Sequence, residues 1–215
     1  MCSFYKYLLT LVFCISSALF AQNAAPSALP IMEKSVKKYN ALSAFSFDFT
    51  LNIEENDKKT NSFSGTLLVK KEKYFLTFDE QIIANDGTIM WNYQKDIHEA
   101  SIFDADDDFS IFHPLKMLNN WDKDYAAKFI REEELKNNKM SIIDLTPKKK
   151  SPFYKVRLLI DTTTSYIQQI MMYDIDGTTL TYTVMKFKPN VEVSDEKFTF
   201  NKNDYPNVQI NDMRF

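Results

Sequence analysis

The stretch that decides the fold is IIANDGTIMWNYQKDIHEASI, which runs from Ile82 to Ile102. It contains three short segments in which apolar and polar residues alternate, and the first two are joined through Asn85-Asp86-Gly87. Alternation is typical of a strand with one buried face, and an Asp-Gly pair is typical of a tight hairpin turn. The stretch therefore predicts strand, turn, strand, turn, strand, which is an antiparallel meander.

The same pattern continues on both sides of this stretch. Toward the N-terminus, FSFDFTLNI alternates strictly from Phe45 to Ile53, and FSGTLLVKKEKYFLTF predicts two strands around a KKEK turn. Toward the C-terminus, strands are predicted in YKVRLLID, YIQQIMMYD, LTYTVMKFK and KFTFN, with a turn at DIDGTT. The chain is therefore expected to form roughly nine to eleven strands.

Helical spacing appears at two places. PIMEKSVKKYNAL predicts an amphipathic helix from about Pro30 to Leu42, because Met32, Val36 and Tyr39 recur every three or four residues. The middle of the chain, from about Phe109 to Asn137, predicts two short helices. The first of these two aligns Ile111, Leu115 and Leu118 on one face, and the second aligns Tyr125, Phe129 and, less regularly, Ile130.

These elements together predict a mainly β fold with an α lid. A sheet of this length curls, so we expect one domain over residues 22–215, built as an incomplete, half-open antiparallel β-barrel covered by about three short helices. The sequence has 18 Phe and 11 Tyr. Aromatic side chains on the inside of such a sheet are compatible with a container for an apolar ligand and equally with an ordinary core.

The N-terminus predicts a secretory signal peptide at residues 1–21. It has one cation, Lys6, then an apolar run of roughly a dozen residues, and then small residues up to Ala21. An uncleaved anchor is the alternative interpretation. Both cysteines, Cys2 and Cys14, lie in this segment, and Phe13 before Cys14 does not fit a lipoprotein cleavage site. The secreted chain would therefore have no thiol and no disulfide.

Composition and motifs argue against several kinds of function. The net charge is −3, so the chain has no basic field for a nucleic acid. The acidic run after Asp104 lacks the Gly and the terminal Glu of a calcium loop, because Phe109 and Leu115 stand in those places. Two histidines, His98 and His113, are too few for a zinc site, and no G-x-S-x-G occurs. We predict no catalytic residues, no metal and no cofactor.

Several quoted pieces, taken in order, resemble the LolA-type periplasmic lipoprotein carriers. They are SAFSFDFTLNI, SGTLLVKKEKYFLTF, the DG-x-x-x-W-x-Y hairpin, DLTPKK and the terminal KFTF. Gly65, Asp86, Gly87, Trp91 and Tyr93 stand at matching positions, and the similarity runs from about residue 31 to residue 211. The family's Arg-Pro pair is replaced by Lys71-Glu72.

The resemblance implies a periplasmic, monomeric chaperone that is not an enzyme. It would bind lipoprotein acyl chains in an apolar cavity and move them from an inner-membrane lipoprotein-releasing complex to an outer-membrane acceptor. Lys71 would hold the lid to the barrel, in the place of the family's arginine. Its single ammonium group does so less well than a guanidinium group, which can donate to several carbonyl oxygens at once. An envelope lipid-binding sensor or adaptor with the same half-barrel is the alternative, and a hydrolase with a buried, shifted acid is a third. The expected cavity residues are Phe47, Phe49, Leu67, Val69, Phe75, Phe78, Trp91, Tyr93, Ile111, Leu115 and Leu118.

Overall fold

The computed structural model describes residues 27–56, 58–105, 114–135 and 137–214, and for residues 114–116 it describes the backbone alone. The predicted signal peptide lies outside these ranges. Within them, no helix is both long enough and apolar enough to span a membrane.

The chain forms three α-helices and thirteen strands in the described ranges. The helices are α1 Ala28–Asn40, α2 Pro114–Asn119 and α3 Trp121–Asp124. Two short 3-10 helices follow late in the chain, Asp195–Phe198 and Lys202–Asp204. The strands are β1 Phe45–Glu55, β2 Lys58–Lys70, β3 Lys73–Phe78, β4 Gln81–Asn85, β5 Ile89–Gln94, β6 Glu99–Asp104, β7 Tyr125–Leu135, β8 Asn138–Pro147, β9 Phe153–Asp161, β10 Ile167–Asp174, β11 Thr178–Val184, β12 Lys188–Pro189 and β13 Gln209–Asp212.

All the strands belong to one sheet with the order β13-β6-β5-β4-β3-β2-β1-β11-β10-β9-β8-β7, and β12 pairs with the start of β1. Two antiparallel meanders, β2–β6 and β7–β11, are joined through the pairing of β1 with β11. The end strands β7 and β13 are not hydrogen-bonded to each other in the part of the chain that the structure describes, so the sheet stays open. The predicted mainly β, half-open architecture is confirmed.

The hairpin at the centre of the opening stretch is built as its sequence predicts. Gly87 has a φ of +92°, a conformation that residues with a Cβ rarely adopt. The side-chain oxygen of Asn85 accepts the Gly87 N–H at 2.8 Å, and that of Asp86 accepts the Thr88 and Ile89 N–H groups at 2.8 and 2.9 Å. Local side-chain acceptors therefore fix the turn.

The first helix is confirmed, and it begins two residues earlier than the expected Pro30. Ser27 caps it, with Oγ accepting the Leu29 N–H at 3.4 Å. Its buried residues are Ala28, Met32, Ser35 and Tyr39, which follow the helical period on one face.

The second of the two mid-chain helices is a wrong prediction, because Tyr125–Leu135 forms strand β7. Tyr125 and Phe129 are four residues apart, a spacing that fits one face of a helix and one face of a strand equally well. Ala127, between them, packs partly buried against the same apolar cluster as they do, which is the period of a strand. Pairing with β8 over the whole length of β7 supplies hydrogen bonds that the isolated segment lacks.

The end of the chain also differs from expectation. KFTFN is not a strand, since Lys197 and Phe198 end a 3-10 helix and Phe200 follows it as coil. Residues 190–214, here called the C-terminal strap, start where the Val191 N–H donates to the Ala44 carbonyl oxygen at 3.2 Å. The strap ends as β13, which runs parallel to β6 and so departs from the expected all-antiparallel order.

The sheet has apolar side chains on both faces. On the face here called the inner face, the large buried cluster brings together β1–β5, β8–β10, α1 and α2. On the other, here called the outer face, a small cluster of Ile82, Tyr93, Ala100 and Val208 lies where the strap crosses β3–β6.

Candidate functional site

The first three strands present an almost continuous apolar surface on the inner face. Alternate residues of a strand point to the same side, so the strict alternation in β1 puts its aromatic residues together. Those that the sequence assigned to a cavity and the structure places here are Phe47, Phe49, Leu67, Val69 and Phe78.

Gly65 allows the closest approach in this surface. A Cβ built on Gly65 would lie 2.6 Å from the Cζ atom of Phe49 and in overlap with the carbonyl oxygen of Thr77. Phe49 and Gly65 are partners in the β1–β2 register, and Gly65 is opposite Phe78 in β3. The glycine therefore gives the Phe49 ring room to lie across β2.

The second meander completes the inner face with branched aliphatic residues. Facing pairs such as Ile143 with Leu158 and Leu145 with Val156 are fully buried. Their side chains contain no hydrogen-bonding atom, so these pairs offer only van der Waals contact. Its other buried members are Ile160, Ile167 and Met172.

Helices α1 and α2 cover the inner face. Met32 and Tyr39 of α1 and Leu118 of α2 are buried in the same cluster as the strand residues. Leu118, which was assigned to the cavity from sequence, is buried in this cluster. Ile111 and the side chain of Leu115, which were assigned with it, fall outside the described residues.

Two polar contacts fasten α1. The hydroxyl oxygen of Tyr39 accepts the Ile167 N–H of β10 at 3.1 Å, and the side-chain amide of Asn40 donates to the Asn119 side-chain oxygen of α2 at 3.0 Å. Burial raises the pKa of Tyr39, so this phenol stays neutral. The first contact ties α1 to the sheet and the second ties it to the other covering helix.

An aromatic group closes the space beside the end of α1. The ring centroid of Tyr39 lies 5.3 Å from that of Phe45 and 5.3 Å from that of Tyr166, and Phe187 lies 4.4 Å from Tyr166. Tyr39 was visible in the helical stripe of the sequence. Phe187 belongs to the predicted strand LTYTVMKFK, but β11 ends at Val184 and Phe187 follows it, so its place beside α1 is seen only in the tertiary structure.

Phe75, Trp91 and Tyr93, which the sequence assigned to the same cavity, lie on the outer face, and this is a correction. Trp91 stacks on Phe200 of the strap with centroids 5.3 Å apart, and Tyr93 lies 4.4 Å from Tyr205. Their neighbours in sequence, Leu76 and Met90, take the inner side instead. A shift of one residue in a strand exchanges its faces, and the DG-x-x-x-W-x-Y pattern does not tell which face is inside.

The outer face also has an open groove, with a volume of roughly 650 Å³. It is a mixed surface, because polar and charged side chains outnumber the rings, and Lys197 Nζ lies 4.1 Å above the Phe75 ring. Such a lining does not suit a long hydrocarbon chain. The residues that line the groove are Phe75, Ser194, Glu196, Lys197, Thr199, Phe200, Asn201, Asp204 and Tyr205.

Lys71, the expected lid latch, lies in the exposed turn between β2 and β3 with a φ of +56°. Among the described residues, its side chain makes no ion pair. The lysines on either side of the turn, Lys70 and Lys73, instead bind the Asp195 carboxylate of the strap at 2.7 and 2.9 Å. They lower the pKa of Asp195 to about 2.

The titratable groups do not form a reactive centre in the part of the chain that the structure describes. The carboxyl groups there with a shifted pKa, Asp144, Asp195 and Asp212, are each lowered by hydrogen bonds from a lysine or an arginine. A general acid would need the opposite shift. Within the same residues, no three His, Cys, Asp or Glu side chains come together as a metal site.

Comparison with known proteins agrees with this architecture. The family described as "Outer membrane lipoprotein carrier protein LolA" matches residues 40–201. Two relatives from Legionella pneumophila are named "Outer-membrane lipoprotein carrier protein". The protein of strain Lens is 23% identical over 201 residues, and that of strain Corby is 24% identical over 200 residues. Each alignment covers 91% of this chain and 94% of the relative.

Among solved structures, the fold is similar to that of an uncharacterized conserved protein from Thermus thermophilus. That similarity has a TM-score of 0.61 at 10% sequence identity, and it covers 86% of this chain and 98% of the other. It supports the open sheet with its helical cover as a known fold. Since the family match takes in well over half of the sequence, the chain belongs to the LolA family of outer-membrane lipoprotein carrier proteins.

Proposed function

We propose that this protein binds the acyl chains of lipoproteins on its inner face and carries them across the periplasm, from the inner membrane to the outer membrane. The observation that carries the proposal is the apolar inner face. It continues over both meanders of the sheet, and helices α1 and α2 pack on it as a separate cover. The names of the two Legionella relatives support it.

The energetics of the cargo fit this surface. Each methylene group removed from water contributes about 0.8 kcal/mol, so the long acyl chains of a lipoprotein need a protein surface to cross an aqueous compartment. Aromatic rings supply large apolar area, and methionines such as Met32, Met90 and Met172 adapt their shape to a flexible chain. A lining of this kind favours binding to hydrocarbon without demanding one chain conformation.

Access to the inner face would come from movement of the cover. Among the described residues, the long-range side-chain hydrogen bonds of helix α1 run through Tyr39 and Asn40, while the strands are held by continuous ladders. Elements held by few hydrogen bonds open at lower free energy than the sheet does. The cargo would enter beneath the helices and replace contacts that α1 makes with the sheet.

The proposal includes the route and the partners that the family resemblance implies. The protein would be secreted through its signal peptide and act as a monomer. It would receive lipoproteins from an inner-membrane releasing complex and deliver them to an outer-membrane acceptor. No nucleotide or metal would take part, so the direction of transfer would come from the relative affinities of donor, carrier and acceptor.

A release assay with a matched pair of variants tests the proposal. Phe78 and Phe75 are both in β3, are both partly buried and face opposite sides of the sheet. Purified protein from residue 22 is added to spheroplasts of the source organism that hold a radiolabelled outer-membrane lipoprotein. We expect labelled lipoprotein to leave as a soluble one-to-one complex with the wild type and with Phe75→Glu, and to stay bound with Phe78→Glu.

A second measurement does not depend on substitutions to Glu, which could abolish release by unfolding the protein. A photoreactive phenylalanine at position 47 should crosslink to the acyl chains of a triacylated lipopeptide, and the same residue at position 75 should not. A carrier that uses the inner face is contradicted if neither the wild type nor Phe75→Glu releases lipoprotein. It is also contradicted if crosslinking is equal at positions 47 and 75. Crosslinking at position 47 without any release would instead favour the lipid-binding sensor or adaptor.

A further inference from the structure

Ser35 is a small polar residue on the buried face of α1. It lies between Met32 and Tyr39 on the helical stripe, and it has no exposed surface. Its hydroxyl Oγ has no hydrogen-bond partner among the residues that the structure describes. A serine in a helix commonly donates to the carbonyl oxygen four residues earlier, and Ser35 does not do so.

An unpartnered hydroxyl at this place is unfavourable for the ligand-free fold. Burial removes the hydroxyl from water, and without a partner nothing offsets the loss of hydration. Alanine at the same position would avoid this cost and has a higher helix propensity.

A second polar atom on the inner face is in the same condition. Asn92 lies two residues after Met90 in β5, so its side chain points to the same inner side as the fully buried Met90. Its side-chain oxygen is buried and has no partner in the described residues. The described part of the inner face thus contains two buried atoms without a hydrogen-bond partner, the Ser35 hydroxyl on the cover, which can donate, and the Asn92 oxygen on the sheet, which can only accept.

We infer that the Ser35 hydroxyl is a ligand-binding group that donates a hydrogen bond to an acyl carbonyl of the lipid anchor. This inference rests on the proposed function and deepens it. A hydrocarbon chain cannot accept a hydrogen bond from the Ser35 hydroxyl, whereas the ester groups that link the chains to the glyceryl group present carbonyl acceptors. The cavity would therefore bind the linkage region of the anchor together with the tails, and it would distinguish acylated cargo from plain hydrocarbon.

The test compares two probes that differ only at the linkage. One is a dipalmitoylglyceryl cysteine lipopeptide with ester-linked chains, and the other is its ether-linked counterpart, which lacks the carbonyl groups. Kd is measured for wild type, Ser35→Ala and Ser35→Cys, the last of which keeps a similar size and donates weakly. The melting temperature of each ligand-free protein is measured alongside.

We expect the wild type to bind the ester probe about 10-fold more tightly than the ether probe, since one net hydrogen bond corresponds to about that ratio. Both variants should lose this difference, keep the wild-type Kd for the ether probe, and melt no lower than the wild type. An ester preference retained in Ser35→Ala overturns the inference, and so does equal weakening of both probes with a lower melting temperature. In either case the proposed function stands. Failure of the wild type to bind both probes overturns the proposed function and this inference with it.

Discussion

At the scale of single residues, the inner face depends on a few close contacts that a small change would break. Gly65 is the clearest, because the Phe49 ring and the Thr77 carbonyl occupy the space that any side chain would need. The backbone of Gly65 needs no unusual conformation, so its requirement is one of space. That separates it from Gly87 and Gly177, whose positive φ values make them turn glycines.

We predict that Gly65→Ala lowers the free energy of unfolding by about 1–3 kcal/mol, because a methyl group at this place forces the Phe49 ring and strand β3 to move. Urea denaturation followed by far-ultraviolet circular dichroism measures the change. Ser64→Ala, the neighbouring exposed position, is the control and should stay within about 0.5 kcal/mol of the wild type. Equal stability of the two variants would mean that the Phe49 ring does not cover Gly65.

At the scale of elements, β7 shows how pairing overrides a local pattern. Tyr125 and Phe129 suit a helix as well as a strand, and the charged residues that follow do not decide between them. The direction in which Ala127 points distinguishes the two forms. In a strand it shares the buried side with Tyr125 and Phe129, and in a helix that buried both of them it would face away.

We therefore predict that a cysteine at position 127 reacts with a thiol reagent at least about 10-fold more slowly than one at position 126, because Ala127 packs inward and Ala126 is exposed. The secreted chain would have no other thiol, so Ala126→Cys and Ala127→Cys can be compared directly. Faster labelling at position 127 would support a helix over this segment and contradict β7.

The C-terminal strap is the second element whose place depends on long-range packing. Phe200 stacks on Tyr205 with centroids 4.7 Å apart and on Trp91 at 5.3 Å, and β13 follows at the sheet edge. The strap covers the outer face, so its loss should leave the inner face unchanged.

We predict that Phe200→Ala destabilises the strap by about 2 kcal/mol, through loss of buried ring area. The Gln209 and Met213 amides, which donate to His98 and Ile102 carbonyl oxygens, should then exchange with deuterium at least about 10-fold faster. In Phe200→Ala, the exchange rates of the β1–β2 amides and the affinity for acyl chains should stay at their wild-type values. The exposed control Lys202→Ala should match the wild type in all of these measurements. A matching acceleration in β1 would show that the strap and the inner face open as one unit.

At the scale of the whole molecule, the buried phenol of Tyr39 and the partly buried phenol of Tyr182 make the stability of the fold depend on pH in the alkaline range. Burial raises the pKa of Tyr182 to about 12 and also raises the pKa of Tyr39, above the ordinary value of 10.0. Above that ordinary value, the unfolded chain releases protons that the folded chain keeps. The unfolded state then binds fewer protons, so stability falls as pH rises.

We predict that the free energy of unfolding is insensitive to these two groups below about pH 9 and decreases between pH 10 and pH 12, by up to about 1.4 kcal/mol per pH unit for each buried tyrosine. Urea denaturation at a series of pH values measures the slope. Tyr182→Phe should reduce the slope by the contribution of one phenol. An unchanged slope in that variant would place the Tyr182 hydroxyl in contact with water.

Four features could be predicted from the order of residues alone: the strand-rich class, the turn at Asn85–Gly87, the first helix and the kind of surface that β1 presents. Each depends on local chemistry: the alternation of side chains, the backbone freedom of Gly87 and the period of an apolar stripe. The family resemblance followed from the same local features in order. Of the residues assigned to an acyl-chain cavity from sequence, those that lie on the inner face or on its cover are Phe47, Phe49, Leu67, Val69, Phe78 and Leu118.

Long-range packing sets which face of β3 and β5 is inside, because alternation fixes a period and leaves its phase open when both faces are apolar. Phe75, Trp91 and Tyr93 therefore lie on the outer face, where the strap covers them. Long-range packing also makes β7 a strand, through its pairing with β8, and it buries the Ser35 hydroxyl, which has no hydrogen-bond partner among the described residues. Contacts between residues distant in sequence set all three, and no local pattern contains them.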